Sequence, residues 1–303
     1  MLATGIGAQN SEQSFISSFI HRTLDRHIIL RPEWQVGIGY RAGLGTMLNN
    51  GDLGYIKLND KILDGPQFRF TGGIDITLTQ YTTPHFGFTV GLSYYRQQSG
   101  YTRCDLPSVE MGVLPITYQG STTLMDAEYT YLTSIVDENY QVSFIEVPLM
   151  LAARSKYLHA DLGFRVAIPI TSSATYNYGE TSVNVGYDVL GTGTHLDELM
   201  VLDTRPGQQG SYDIANDLRN IYVMATAGLS YRTIDKYNNV WLMGAYADLN
   251  LTKTILTNTT SPNFYSDLGG GTYTNAMRSS FMESFSFLSV GLKLQFCFGA
   301  PIK

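Results

Sequence analysis

No stretch of this sequence runs to eighteen apolar residues, which excludes a transmembrane helix, since crossing the hydrocarbon takes about 20. Charge is scarce as well: Asp, Glu, Lys and Arg make up 15% of the 303 residues, with a formal net charge of −6. Cysteine is almost missing. Cys104 falls in a long connection and Cys297 at the end of the last predicted strand, with about 25 Å of apolar band between those levels. A disulfide holds its Cα atoms within about 7 Å, so no internal bridge is expected. Neither cysteine spacing suggests a metal site. Mean hydropathy is near zero, which would suit a soluble chain if the apolar residues were not ordered as they are.

What the sequence has is alternation. In 286–298, Leu288, Val290, Leu292, Leu294, Phe296 and Phe298 take every second position, with Ser289, Gly291, Lys293 and Gln295 between them. A strand points successive side chains to opposite faces, so this segment has one apolar and one polar face. The pattern recurs around Val36, Ile38 and Tyr40, around Phe70, Ile74 and Ile76, and around Phe88, Val90 and Leu92. It returns around Leu162, Phe164 and Val166 and around Val223, Ala225 and Ala227. Two segments are less clean. Residues 140–153 shift phase near Phe144-Ile145 and carry Pro148, which predicts a bulge or bend. Residues 240–253 fit best with Trp241, Met243 and Leu249 outward, with the opposite phase as the alternative. That makes eight strands, each long enough for the roughly 9–11 residues of a tilted membrane crossing.

The connections alternate in length. Short ones fall at Thr82-Thr83-Pro84, at Arg154-Ser155-Lys156 and at 235–239, and long ones at about 47–65, 98–138, 172–218 and 254–284. Outer-membrane barrels pair short periplasmic turns with long outer loops in this way. The predicted fold is therefore an all-β, antiparallel transmembrane barrel of eight strands over 32–299, or of ten if the loops at 98–138 or 172–218 hide two more. Both termini are expected on the periplasmic side of a bacterial outer membrane. Residues 1–8 read as the end of a signal peptide. Residues 9–31 read as a periplasmic segment, with Phe15, Ile16, Phe19, Ile20 and Leu24 on one side of a short amphipathic helix. Trp34, Phe86, Tyr231, Trp241, Phe296 and Phe298 fall at the predicted periplasmic boundary, as an aromatic belt would.

Eight strands enclose a lumen just wide enough to be filled by side chains. The strand phases turn Arg41, Arg69, Asp75, Glu146, Asp161, Arg165, Arg232, Asp248 and Lys293 inward, both signs together. Such groups pair with one another or cost several kcal/mol each, so an ion network is expected rather than a wide channel. Catalysis finds little to stand on. Of five histidines, His21 and His27 precede the barrel, and His85 and His159 begin strands at the periplasmic mouth. Only His195, near Asp197 and Glu198, falls on the outer side, and no His-x-Ser of the lipid A deacylase kind stands near an outer strand end. The long loops at 98–138 and 172–218 carry thirteen acidic residues against two basic ones, a balance that repels nucleic acid. Tyr176, Tyr178, Val183, Val185 and Tyr187 alternate there, which predicts a hairpin rising above the membrane.

Phe144-Ile-Glu-Val-Pro-Leu-Met-Leu151, a short turn and Leu158-His-Ala-Asp-Leu-Gly-Phe-Arg-Val-Ala167 resemble the middle of the PorT-like outer-membrane β-barrel family of Bacteroidota. So do Val36-Gly-Ile-Gly-Tyr-Arg-Ala-Gly-Leu44, Phe88-Thr-Val-Gly-Leu-Ser-Tyr-Tyr-Arg-Gln-Gln-Ser-Gly100 and Leu288-Ser-Val-Gly-Leu-Lys-Leu294. The resemblance implies architecture and no shared catalytic residues, and the family includes accessory parts of secretion machinery. The expectation is a structural or accessory subunit of an outer-membrane complex of the secretion or assembly type, with no enzymatic role, cofactor or metal. Its partners are outer-membrane lipid and a protein, with no nucleic acid. The alternative is a small-solute or lipid-handling barrel, with a lipid A-modifying enzyme behind it.

Overall fold

The computed structural model describes residues 33–50, 65–118, 120–187, 198–235, 237, 239–255, 264–266, 271–273 and 284–301. The segments 1–8 and 9–31, with His21 and His27, lie outside the described residues, and so does His195. The first five strands are β1 (Glu33–Asn50), β2 (Gly65–Tyr81), β3 (Phe86–Tyr118), β4 (Ser121–Arg154) and β5 (Leu158–Tyr178). Three shorter ones follow, β6 (Thr181–Tyr187), β7 (Glu198–Arg205) and β8 (Gln208–Tyr212). After a 3-10 turn at Ala215–Asp217 come β9 (Tyr222–Ile234) and β10 (Val240–Asn250). The chain continues through β11 (Thr254–Ile255), β12 (Tyr265–Ser266) and β13 (Thr272–Tyr273) to β14 (Ser284–Pro301).

Eight of these strands close a ring, β1-β2-β3-β4-β5-β9-β10-β14 and back to β1, all antiparallel. The seam between the first and last strands is a full ladder, running from Glu33↔Pro301 to Asn50↔Ser284. Closure gives each of the eight strands a neighbour on both sides, the condition for a sheet to stand in hydrocarbon. The outer face is apolar over one band: Val36, Ile38, Ile74, Ile76, Phe88, Leu92, Leu149, Leu162, Phe164, Leu229, Met243 and Leu292 are all exposed. On a soluble protein a patch of that extent would be a liability; here it is the surface that meets lipid. Trp241 and Met243 point outward as expected. The molecule is a transmembrane β-barrel of eight strands.

The extra strands do not enlarge the ring to ten. They build an arm beyond it. β3 and β4 continue as one hairpin to Tyr118↔Ser121, so the loop expected at 98–138 is strand almost throughout. β4 leaves β5 at Val136↔Tyr178 and takes up β6 at Thr133↔Thr181, and β7 completes the order β3-β4-β6-β7. The faces turn over at the junction, where Asp105 has φ 52° and Ser134 and Ile135 are exposed in succession. Asp tolerates that left-handed backbone better than most residues. Outside the membrane neither face must be apolar, so hydropathy stops reporting strands that the ladder still forms. The segment Tyr176 to Tyr187 is strand above the membrane, as expected, but not a hairpin: β6 carries on from β5 along β4, and the hairpin is the one that β6 forms with β7.

The phase change read in 140–153 also has a different origin. β4 keeps its phase, with Val142, Phe144 and Glu146 inward and Ile145 and Val147 outward. What changes is the interior, which is polar beside Glu146 and aromatic above it. The bulge lies on the neighbouring strand: Ser143 pairs with Thr171 and Phe144 with Pro169, leaving Ile170 of β5 extra.

Candidate functional site

The lumen is filled at three levels. At its centre Arg41 is completely buried, and its three nitrogens reach three carboxylates. Nε donates to Asp75 Oδ2 at 2.9 Å, Nη1 to Asp248 Oδ2 at 2.6 Å and Nη2 to Glu146 Oε2 at 2.6 Å. Arg165 lies against the same acids, with Nη1 3.2 Å from Asp75 and 3.3 Å from Glu146, and Nε 3.7 Å from Asp248. These five residues come from β2, β10, β4, β1 and β5, so the cluster ties strands from around the ring to one point. Tyr95 and Tyr246 flank the Arg41 guanidinium at 4.4 and 5.5 Å from their ring centres, within cation–π range. A charge buried this deeply is stable only when paired and hydrogen-bonded. Strand alternation gave the charged members but passed over Tyr95 and Tyr246, which share the inward phase of Ser93 and Asp248.

At the turn-side mouth Asp161 accepts from His159 Nε2 at 2.6 Å and pairs with Lys293, while His159 Nδ1 lies 3.0 Å from the Tyr81 hydroxyl. Arg154 closes this end: it pairs with Glu33, donates to the Pro84 carbonyl at 3.0 Å and covers the Tyr81 ring at 3.6 Å. Asp161 and Lys293 thus pair away from the central cluster, and two further predicted members join neither group. Arg232 is inward and buried near this mouth, but its Nη1 finds no hydrogen-bond partner. Arg69 is not in the buried lumen at all; it faces Asp137 at 3.9 Å on the loop side, and both side chains are more than a third exposed. β2 keeps its phase here, with Phe68 and Phe70 outward and Thr71 and Asp75 inward, so Arg69 stays on the inward face but at the loop-side end of the strand, above the buried cluster.

The loop-side mouth is closed by an aromatic cluster that includes Met47, Tyr101, Phe144, Tyr222, Phe264, Phe285 and Phe287. Phe144 meets Tyr222 and Phe287 edge-on, at 5.6 and 6.0 Å. Just beyond, Glu138 is fully buried, contrary to its expected place on an acidic outer surface. It accepts from Tyr178 at 2.5 Å, from Tyr212 at 3.1 Å and from Tyr140. Burial, and then the Glu138 charge, push all three phenols well above their ordinary range. Alternation extended past Tyr140 would have turned Glu138 inward; its place in a nominal loop hid it.

Trp34, Phe86, Tyr231, Trp241 and Phe298 point outward near the turn-side rim. Phe296 packs between Trp241, at 4.6 Å, and Phe298, at 4.7 Å. The two cysteines lie far apart, Cys104 beside Ile135 at the base of the arm and Cys297 beside Gly37 at the opposite end. Among the described residues no three His, Cys, Asp or Glu side chains come together as a metal site.

No protein-family model and no curated protein matches the sequence. Among solved structures, the chain is similar to Ail, the attachment invasion locus protein of Yersinia pestis, with 10% identity and a TM-score of 0.25 over 88% of this chain and 99% of that one. It is similar to a FadL homologue of Pseudomonas aeruginosa, with 8% identity and a TM-score of 0.18 over 88% of this chain and 89% of the other. The outer-membrane channel DcaP of Acinetobacter baumannii follows, with 10% identity and a TM-score of 0.16 over 88% and 96%. Scores this low carry no weight, and the barrel stands on its own closed ladder.

Proposed function

We propose that this chain is a non-conducting, non-enzymatic barrel of a bacterial outer membrane that serves as an accessory subunit, its β3-β4-β6-β7 arm docking a partner protein. One observation carries the reading: the lumen is filled at centre and both mouths, while a sheet of four strands stands outside the ring. Val109, Met111, Val113 and Leu124 are exposed on the arm hairpin beside Asp126. Soluble surfaces rarely gather such side chains without using them. The acidic rim favours a basic partner, with association slowed by salt. Short turns at the end where the chain enters and leaves the ring support periplasmic termini and an outward-facing arm. The PorT-like resemblance is consistent with this and points to secretion or assembly machinery.

Co-purification of the tagged protein from native membranes in mild detergent tests the proposal. A stoichiometric partner that is lost when the hairpin 105–134 is replaced by a short turn is the expected result. A lone 33.6 kDa species would contradict it.

A further inference from the structure

The wall of the barrel has a gap along β5, on the side away from β4. The β5–β9 ladder ends at Ala167↔Tyr222 and the β5–β8 ladder begins at Ala174↔Tyr212, so residues 168–173 lack a strand partner on this side among the described residues. The extra residue Ile170 falls within the gap, and Pro169 has no N–H to offer. The connection through Ala215–Asp217 spans the opening without filling it. A cleft of about 430 Å³ remains, lined by Pro169, Ile170 and Leu218 and by Thr171, Ser172, Asp213, Arg219 and Asn220. That is within the size range of small-molecule sites.

The cleft is layered as a lipid is. Phe164, Ile168, Ile170 and Ile221 are exposed on the outer face and extend the apolar band to its loop-side limit. The polar lining begins immediately beyond. Neither of its two charges has an ion-pair partner among the described residues. Arg219 is exposed and makes no ion pair with any described residue, while its backbone N–H is fixed on the Tyr222 hydroxyl at 3.0 Å. Asp213 is held by Ser172 Oγ at 3.0 Å and the Ala215 N–H at 2.9 Å, and it likewise has no cation among the described residues. A cation and an anion in one cleft, unpaired with each other, suit a ligand that carries both charges. Backbone groups left open at the edge of hydrocarbon also need a polar partner.

We infer that this cleft holds the headgroup of a bilayer lipid bearing a phosphate and an ammonium, the phosphate at Arg219 and Asn220 and the ammonium at Asp213. Ile170 and Leu218 receive the start of its acyl chains. The site depends on the barrel standing in a membrane and not on the arm having a partner.

Native mass spectrometry of the detergent-purified protein, stripped of lipid and then offered phosphatidylethanolamine or phosphatidylglycerol of the same acyl chains, tests it. The wild type should retain one phosphatidylethanolamine, several-fold in preference to phosphatidylglycerol. Arg219→Ala should lower that retention several-fold, and Asp213→Asn should abolish the preference between the two lipids. Both side chains are exposed, and heat-dependent gel mobility checks that each variant is a folded barrel; either folded variant decides the matter alone. Equal retention of the two lipids by the wild type, or unchanged retention in a folded variant, would overturn the inference.

Discussion

Arg41 is the side chain on which most of the interior depends. It meets Asp75, Glu146 and Asp248 at once, with its own surface fully withdrawn from solvent. Arg41→Met preserves the volume roughly and removes the charge, leaving Arg165 alone against three carboxylates. Breaking a buried pair costs about 3–5 kcal/mol, so thermal unfolding in detergent should move sharply downward; an unchanged midpoint would show that the network is dispensable. At the seam the limiting residues are Gly43 and Gly291, which face each other across β1 and β14. A Cβ at Gly43 would stand 2.2 Å from the Val290 carbonyl oxygen, and one at Gly291 equally close to that of Ala42. Gly43→Val should therefore lose the heat-modifiable gel mobility of a closed barrel, whereas the same change at a lipid-facing position such as Ala42 should keep it.

Among the elements, the strands were legible wherever one face had to be apolar. Val36 to Leu44, Phe88 to Tyr94 and Leu288 to Phe298 alternate because lipid lies on one side and Arg41, Ser93 or Lys293 on the other. Beyond the band that pressure ends. Strand β3 runs on through Pro107 and Pro115, and β4 through Glu128 and Tyr131, with no periodic oil to mark them. The same limit hid Glu138, and it made an aromatic interior at Phe144 look like a change of phase. The gap at residues 168–173 had no sequence signal beyond Pro169, because it is made by two strands that fail to meet.

The Glu138 cluster gives β4, β5 and β8 a pH dependence. Tyr140, Tyr178 and Tyr212 have phenol pKa values raised in the fold above the unfolded value of about 10. The folded state then binds more protons than the unfolded one above that pH, so stability is intact below about 10 and falls as the pH rises further. Glu138→Gln removes the anion and should bring the phenolate absorbance transition to lower pH. A transition that stays put would mean that burial alone sets these phenols.

As a whole, the molecule is a shut cylinder with an arm. Its lower mouth is closed by Arg154 over Tyr81, its waist by the Arg41 cluster and its upper mouth by Phe144, Tyr222 and Phe287. Eight strands leave little more than the room these side chains occupy. The charges inside therefore serve to hold strands together, and the surface left for recognition is outside the ring. Planar-bilayer recording of the purified, refolded protein addresses that claim most directly. The closed lumen predicts a flat baseline at all moderate voltages, for the wild type and for a variant without the arm. Reproducible unitary conductance steps from the wild-type barrel would contradict it and return the function to transport.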